Sequence, residues 1–313
     1  FALSSMSNSH IQTVAVLTQY NARSLNEHLS SSKWWNFGRK QGGLFLFTPT
    51  VTADNSDWYR GTADAMYQNI DFLKRRHEPY VIISSGDCVY KLDFNRVLDF
   101  HIEKKSDITV VCKDMMYNDD VSRFGVVRMD DESRITEFDE KPIEALSNTI
   151  STGIYVIRRR QLIELLEAAA EENRFDFVND ILVRYKNVKK IYGYKINSYW
   201  NNIADIDAYF KTNMDFLRPD VRSYFFREEP TICSKVDDLP PAKFNPGSDI
   251  SNSLVSSGCI INGSVEDSVL FKQVFVGKNT TVKNCVILND VYIGDNVHLE
   301  NCIVESRGTI NPN

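Results

Sequence analysis

Three blocks in the last fifth of the chain align on one another at a fixed spacing. Val265-Glu-Asp-Ser-Val-Leu270, Val282-Lys-Asn-Cys-Val-Ile287 and Leu299-Glu-Asn-Cys-Ile-Val304 begin seventeen residues apart. Matching units, Val276-Gly277-Lys278-Asn279 and Ile293-Gly294-Asp295-Asn296, separate them. An aliphatic leading a short polar unit, repeated at this period, suits a triangular coil of about three short strands with the aliphatic turned inward. Such a unit cannot bury its apolar face alone, so coils must stack. The repeat predicts a parallel β-helix of the left-handed hexapeptide type, with Cys285 stacked on Cys302. Stacked coils of this kind favour oligomers, and because the repeat is still running at Asn313, further coils or a cap are expected beyond it.

Ahead of the repeat the pattern changes. Tyr80-Val81-Ile82-Ile83 is a continuous β-branched run, expected to be a buried parallel strand ending in Gly86-Asp87. Strands are expected at 13–18, 44–47, 80–84, 108–112, 125–129, 153–157 and 190–195, and helices at 62–75, 159–171, 175–185 and 206–217. Alternating elements of this sort predict an α/β domain with a Rossmann-like, mixed and mostly parallel sheet over 1–217. The Pro-containing stretch around Asp238-Leu239-Pro240-Pro241-Ala242 marks a linker over 218–247, with the β-helix over 248–313.

Gly61-Thr62-Ala63 opens a helix whose buried face carries Ala63, Met66, Tyr67 and Ile70. Gly at a helix start is most often a cap; it also leaves room for a close ligand, and first-turn N–H groups are natural donors to an acceptor-rich one. Asp87, just past a strand end where ligands of α/β sheets gather, is either a turn residue or a ligand for Mg²⁺, which prefers one or two carboxylates plus phosphate oxygens.

Taken in order, WYRGTADA, SSGD, FGVV, EFDEKP, STGIYV and YWNNIADIDAYFKTNMDF resemble the bacterial ADP-glucose pyrophosphorylase (glucose-1-phosphate adenylyltransferase) family along nearly the whole chain. The resemblance implies attack of glucose 1-phosphate on the α-phosphorus of ATP, giving ADP-glucose and pyrophosphate with Mg²⁺. It implies that Asp87 is the first metal carboxylate and catalytic, and that Gly61 and Thr62 hold the nucleotide. Gly125 and Ser151 would contact the sugar, and Glu140 with catalytic Lys141 the sugar phosphate. It also implies a tetramer.

The departures are as informative. The family's second metal carboxylate follows Tyr-Trp and a basic residue; here the run is Tyr199-Trp200-Asn201-Asn202-Ile203-Ala204, so an amide, Asn202, stands at that position. Loss of part of a metal's transition-state stabilisation costs about tenfold in rate per ~1.4 kcal/mol. Cys88 replaces a usual His. The chain begins Phe1-Ala2-Leu3-Ser4 and contains no Gly-rich phosphate loop, which the resemblance places upstream. These features resemble the accessory glycogen-biosynthesis subunit, GlgD, which pairs with a catalytic subunit. The expected partners are that subunit or further copies of this chain, together with ATP, a sugar nucleotide or an anionic effector. Arg23, Arg39 and Lys40 are candidates for the effector, or plain surface cations.

Net charge of −6 with interspersed signs argues against nucleic acid, and no segment approaches a membrane span. Six cysteines without a CxxC pair suggest reduced thiols in a cytoplasmic protein. Hexapeptide coils also occur in acyltransferases, for which His298 is the one histidine available in the repeats. A similar architecture occurs in subunits of translation exchange factors.

Overall fold

The computed structural model describes residues 1–38, 42–50, 58–117 and 119–312. Arg39 and Lys40 therefore lie outside the described residues, as do Ser56 and Asp57 ahead of the Trp58 motif. The chain forms two units, Phe1–Gly86 with Tyr90–Ser198 and Asp87–Val89 with Tyr199–Asn313. Residues 199–217, grouped with the first domain in the sequence reading, cluster with the second unit.

The first unit begins with α1 (Ala2–Asn8), β1 (Thr13–Leu17), α2 (Ala22–Leu29) and β2 (Gly43–Phe47); β1 and β2 form a two-stranded parallel sheet. The segment expected as one helix over 62–75 is two, α3 (Thr62–Gln68) and α4 (Ile70–Lys74). Asn69 sits at the break, its amide nitrogen donating to the Ala65 carbonyl and to Tyr59 Oη instead of facing solvent, the back-bonding that bends helices. There follow β3 (Tyr80–Ser84), β4 (Cys88–Tyr90), of which Cys88 and Val89 belong to the second unit, α5 (Phe94–Glu103), β5 (Ile108–Asp114), β6 (Gly125–Met129), β7 (Ile135–Glu140), β8 (Thr149–Arg158), α6 (Arg159–Glu171) and β9 (Ile191–Lys195). Residues 175–185 were expected as an α-helix; Val178–Val183 takes a π-helical form.

The main sheet runs β7-β6-β8-β5-β9, with β3 against β8. It is mixed, but β5–β9 is its parallel pair and the other described pairs are antiparallel. The expected parallel pairing of Tyr80–Ser84 is thereby corrected: this strand is half-buried and runs antiparallel to β8. Its apolar run exists because Val81 and Ile83 pack on the core while Tyr80 meets His101 on α5; both faces are covered whatever the strand direction. Along β5, Ile108, Val110 and Cys112 enter the core with Leu162, Leu166, Ile181 and Leu182. The alternate residue Thr109 bonds His101 of α5, 2.9 Å from Nδ1. The twofold alternation thus puts α5 and α6 on opposite faces.

In the second unit, β10 (Trp200–Asn202) pairs with the strand begun at Cys88, and α7 (Ile206–Asp215) packs on strand Val286–Ile287. Asp205 caps α7 through Ala208 N–H. Pro219 opens a helix, α8 (Pro219–Phe226), inside the stretch expected as linker.

From Lys243 the chain winds into three parallel sheets. Val276, Ile293, Val265, Val282, Leu270 and Ile287 fill the interior. Corners need left-handed backbone, which Asn and Asp tolerate best after Gly: Asn252, Asp267, Asn284 and Asn301 recur at one corner, Asn279 and Asn296 at another. Their side chains bond coil to coil, as Asn279 does to Asn296. One coil is short. Only Asn262 and Gly263 join Ile261 to Ser264, so Ile260 pairs with Phe275, fifteen residues on, where later rungs step by seventeen. A Cβ on Gly263 would stand 2.3 Å from the Thr280 carbonyl. No helix among the described residues is long and apolar enough to cross a membrane.

His101 is buried, and burial pulls its pKa from 6.5 down to about 4, with the charge of Arg158 adding to this and Asp107 opposing it. The unfolded chain binds the proton first, so the stability this residue contributes is present above pH 6.5 and lost as pH falls towards 4. Melting scans across that window should show the wild type losing midpoint faster than His101→Gln.

Candidate functional site

Gly61 is held against another segment. A Cβ there would lie 2.4 Å from the Phe175 carbonyl oxygen, which accepts from Ala63 N–H (2.8 Å) and Asp64 N–H (3.2 Å). Thr62 Oγ1 accepts from Phe177 N–H at 3.0 Å. The expectation that first-turn donors await a ligand is corrected for Ala63 and Asp64, because Phe175 uses them. Buried Asp64 completes the start of α3, accepting from Arg60 N–H (2.8 Å) and Gln68 Nε2 (2.9 Å), as an acidic residue in a first turn should. Beside this turn, Tyr59 N–H donates to Gln19 Oε1. Tyr20 and Trp58, 79% and 58% exposed, stack with centroids 5.5 Å apart. Sequence reasoning missed this pair; two aromatics thirty-eight positions apart give no local signal.

Gly125, Glu140 and Ser151 lie on β6, β7 and β8, and Lys141 follows directly on the end of β7. Gly125 pairs with Glu140, and a Cβ on Gly125 would reach within 2.9 Å of both Glu140 Oε2 and Phe138 Cε1. The glycine is what lets that carboxylate fold back over β6. Lys141 takes left-handed backbone (φ 50°), uncommon off glycine, and its N–H is tied to the Phe124 carbonyl. The turn throws its side chain clear of the sheet, 66% exposed, with Nζ 4.0 Å from Glu140 Oε1. Ser151 is buried and donates to Tyr155 Oη at 3.3 Å.

Burial pushes the Glu140 carboxyl above its ordinary value; Lys141 opposes this and the charge of Asp176 adds to it. Burial also raises the Tyr155 phenol, which feels both Glu140 and Asp176. Asp176 therefore belongs to this cluster, and nothing in Phe175-Asp176-Phe177 marks it in the sequence. Two carboxylates, a serine and a phenol make a half-buried group of acceptors suited to polyol hydroxyls, with one exposed cation beside them.

Asp87 and Asn202 come together in the second unit. Ile203 N–H donates to the Asp87 carbonyl at 2.8 Å, and Cys88 Sγ donates to Asp87 Oδ1 at 3.4 Å. Asn202 Oδ1 accepts from Ala204 N–H at 3.0 Å, while its amide nitrogen faces Cys88 Sγ at 3.7 Å. Burial, then the Asp87 charge, raises the Cys88 thiol, so it stays protonated and acts as a small buried side chain. A hard divalent ion is held chiefly by charge. Here one carboxylate is present, and the second position presents an amide whose oxygen already caps Ala204 and whose N–H side faces Cys88, the neighbour of Asp87. These residues do not fit a two-carboxylate divalent-metal site. Among the described residues there is also no cluster of three His, Cys, Asp or Glu able to hold a metal. Arg23 lies on α2.

A nucleotidyl transferase family profile matches residues 1–218, and a GlmU-like C-terminal hexapeptide profile matches 240–313. Among similar proteins are the glucose-1-phosphate adenylyltransferases of Clostridium novyi (37% identical, covering 90% of this chain and 74% of the relative), Clostridium acetobutylicum (38%, 90% and 75%) and Bacillus subtilis (37%, 90% and 75%).

Two variants test these contacts. Gly61→Ala should cost about 1–3 kcal/mol in denaturant unfolding, because the Phe175 carbonyl must withdraw from two donors. Glu140→Gln should raise the melting midpoint at pH 7. Since the folded pKa is raised, the wild type loses stability as pH climbs through it, so the variant's advantage should vanish below the ordinary value of 4.5.

Proposed function

The chain belongs to the glucose-1-phosphate adenylyltransferase family of nucleotidyl transferases, and from that premise we propose that it is an accessory, regulatory subunit with weak or no catalysis of its own. The observation that carries this reading is the state of Asn202: a neutral side chain whose oxygen caps Ala204, at the position where the family pattern has a second metal carboxylate. Phosphoryl-type transfer asks the protein mainly for positioning and charge neutralisation. A chain that keeps its positioning groups and loses half of its charge-neutralising pair is left with binding.

In this reading Glu140, Asp176, Gly125 and Ser151 receive the hydroxyls of a sugar phosphate, and exposed Lys141 takes the phosphate by charge. Gly61 and Thr62 shape the nucleotide turn through their packing on the Phe175–Phe177 segment, and the Tyr20–Trp58 stack offers a face to a base. Asp87 is the one carboxylate this chain retains where the family pattern has two. The partner is a catalytic subunit of the same family, and the assembled oligomer makes ADP-glucose from ATP and glucose 1-phosphate. A free, catalytically active enzyme is the competing reading, favoured by Asp87, Glu140 and Lys141.

The deciding assay is pyrophosphate release from ATP and glucose 1-phosphate by the full chain, alone and mixed with a catalytic subunit of its organism. The expected result is near silence alone and an altered rate or effector response in the mixture. Robust turnover alone overturns the proposal in favour of the active enzyme; silence in both leaves a non-enzymatic assembly subunit. Asn202→Asp should raise Mg²⁺-dependent turnover of the isolated chain at least tenfold, as one recovered charge contact of about 1.4 kcal/mol requires.

A further inference from the structure

Cys285 and Cys302 hold equivalent positions in consecutive coils, and their sulfurs lie 3.5 Å apart. The rungs on either side are in register, Lys283 with Glu300 and Val286 with Ile303. Val286 N–H reaches the Cys302 carbonyl at 3.0 Å, so the two coils are fixed at parallel-sheet spacing, about 4.8 Å. That spacing lies inside the roughly 4.4–6.8 Å Cα separation that a disulfide spans. Cys285 is fully buried; Cys302 is partly open.

The column also shows that neither thiol is needed for the fold. One coil earlier the equivalent residue is Ser268, whose hydroxyl donates to the Glu266 carbonyl at 2.7 Å and accepts Cys285 N–H at 3.0 Å. Cys285 Sγ repeats the first of these bonds, donating to the Lys283 carbonyl at 3.0 Å. A hydroxyl fills the position equally well, so the stacked thiols bring a reactivity that the coil geometry does not require.

We propose that Cys285 and Cys302 form an oxidative modification site, closing to a disulfide that staples two coils of the β-helix when the chain meets a small-molecule disulfide such as oxidised glutathione. Cys302, the accessible partner, attacks as thiolate on one sulfur of the oxidant; that S–S bond breaks and one glutathione thiolate leaves. Cys285, as thiolate, then attacks the Cys302 sulfur of the mixed disulfide, expelling the second glutathione. Two cysteine sulfurs are oxidised, one oxidant disulfide is reduced to two thiols, and the two cysteine protons pass to the departing glutathiones. Burial pushes the Cys285 thiol up to about 12, so closure should quicken as pH rises.

The test incubates the 313-residue chain with oxidised glutathione across pH 7–9 and reads intact mass and free thiols. The expected product is about 2 Da lighter, with four titratable thiols remaining of the six cysteines, and cleavage at Asp290 or Asp295 should leave the two cysteine peptides joined until reduced. Cys285→Ser and Cys302→Ser, which the Ser268 coil predicts to fold with unchanged circular dichroism, should each abolish that product. An unchanged mass with six free thiols, a glutathione adduct that never closes, or the same 2 Da loss in Cys285→Ser would each overturn the proposal.

Discussion

Strand β8 carries more of the first unit than any other element, because its backbone is shared among three partners. Its C-terminal half lies between β3 and β5, and its N-terminal half between β5 and β6. A strand paired on both sides over ten residues cannot stay straight in a twisted sheet, and this one breaks register: Tyr155 faces Val110 and Ser151 faces Cys112, so residues 152–154 oppose Val111 alone. Gly153 makes the break, in left-handed backbone with its carbonyl on Ser85 N–H at 2.9 Å. Thr152 Oγ1 closes it by donating to the Val111 carbonyl. The bulge brings Ser151 and Tyr155 within hydrogen-bonding distance of one another, and with them the acceptor cluster shared by Glu140 and Asp176. A conformational requirement of one glycine thus sets the geometry of that acceptor cluster.

Legibility from sequence followed how local each cause was. The coil repeat was readable because each coil repeats its neighbour's chemistry, with aliphatics inside and left-handed Asn or Asp at corners. The fifteen-residue step at Asn262-Gly263 was not, since it shows only when one rung is paired with the next. Strand positions followed from β-branched runs, but strand direction did not: Tyr80–Ser84 reads the same whether parallel or antiparallel, because burial on two faces produces the run either way. Helix 62–75 kept its apolar spacing and hid the break at Asn69, whose side chain competes for the backbone. At the site, residues inside motifs were nameable, while Asp176 and the Tyr20–Trp58 stack depend on contacts between distant segments.

Gly61 and Gly125 teach the same lesson from opposite sides. Both stand at positions where the chain has no room for a Cβ, yet what fills that room differs: a carbonyl oxygen of Phe175 at one, a carboxylate of Glu140 at the other. The first glycine is structural, joining α3 to the segment that bears Asp176. The second positions a charged side chain against its own strand and leaves that carboxyl partly desolvated. A glycine in a binding motif therefore has a role only once its neighbours are known.

The contrast between Glu140 and Asn202 carries the functional argument. Glu140 remains charged-capable although burial and Asp176 both oppose its ionisation; a residue serving stability alone would be better replaced by an amide. At position 202 the amide is what the chain has, and it is used locally, capping Ala204 with its oxygen and facing Cys88 with its nitrogen. An aspartate there would place a second negative charge near Asp87, a repulsion that a bound cation or the uptake of a proton relieves. Asparagine removes that repulsion together with the need for the cation. The chain thus keeps an unfavourable charge at Glu140 and lacks one at position 202, and the proposed accessory role rests on that distribution.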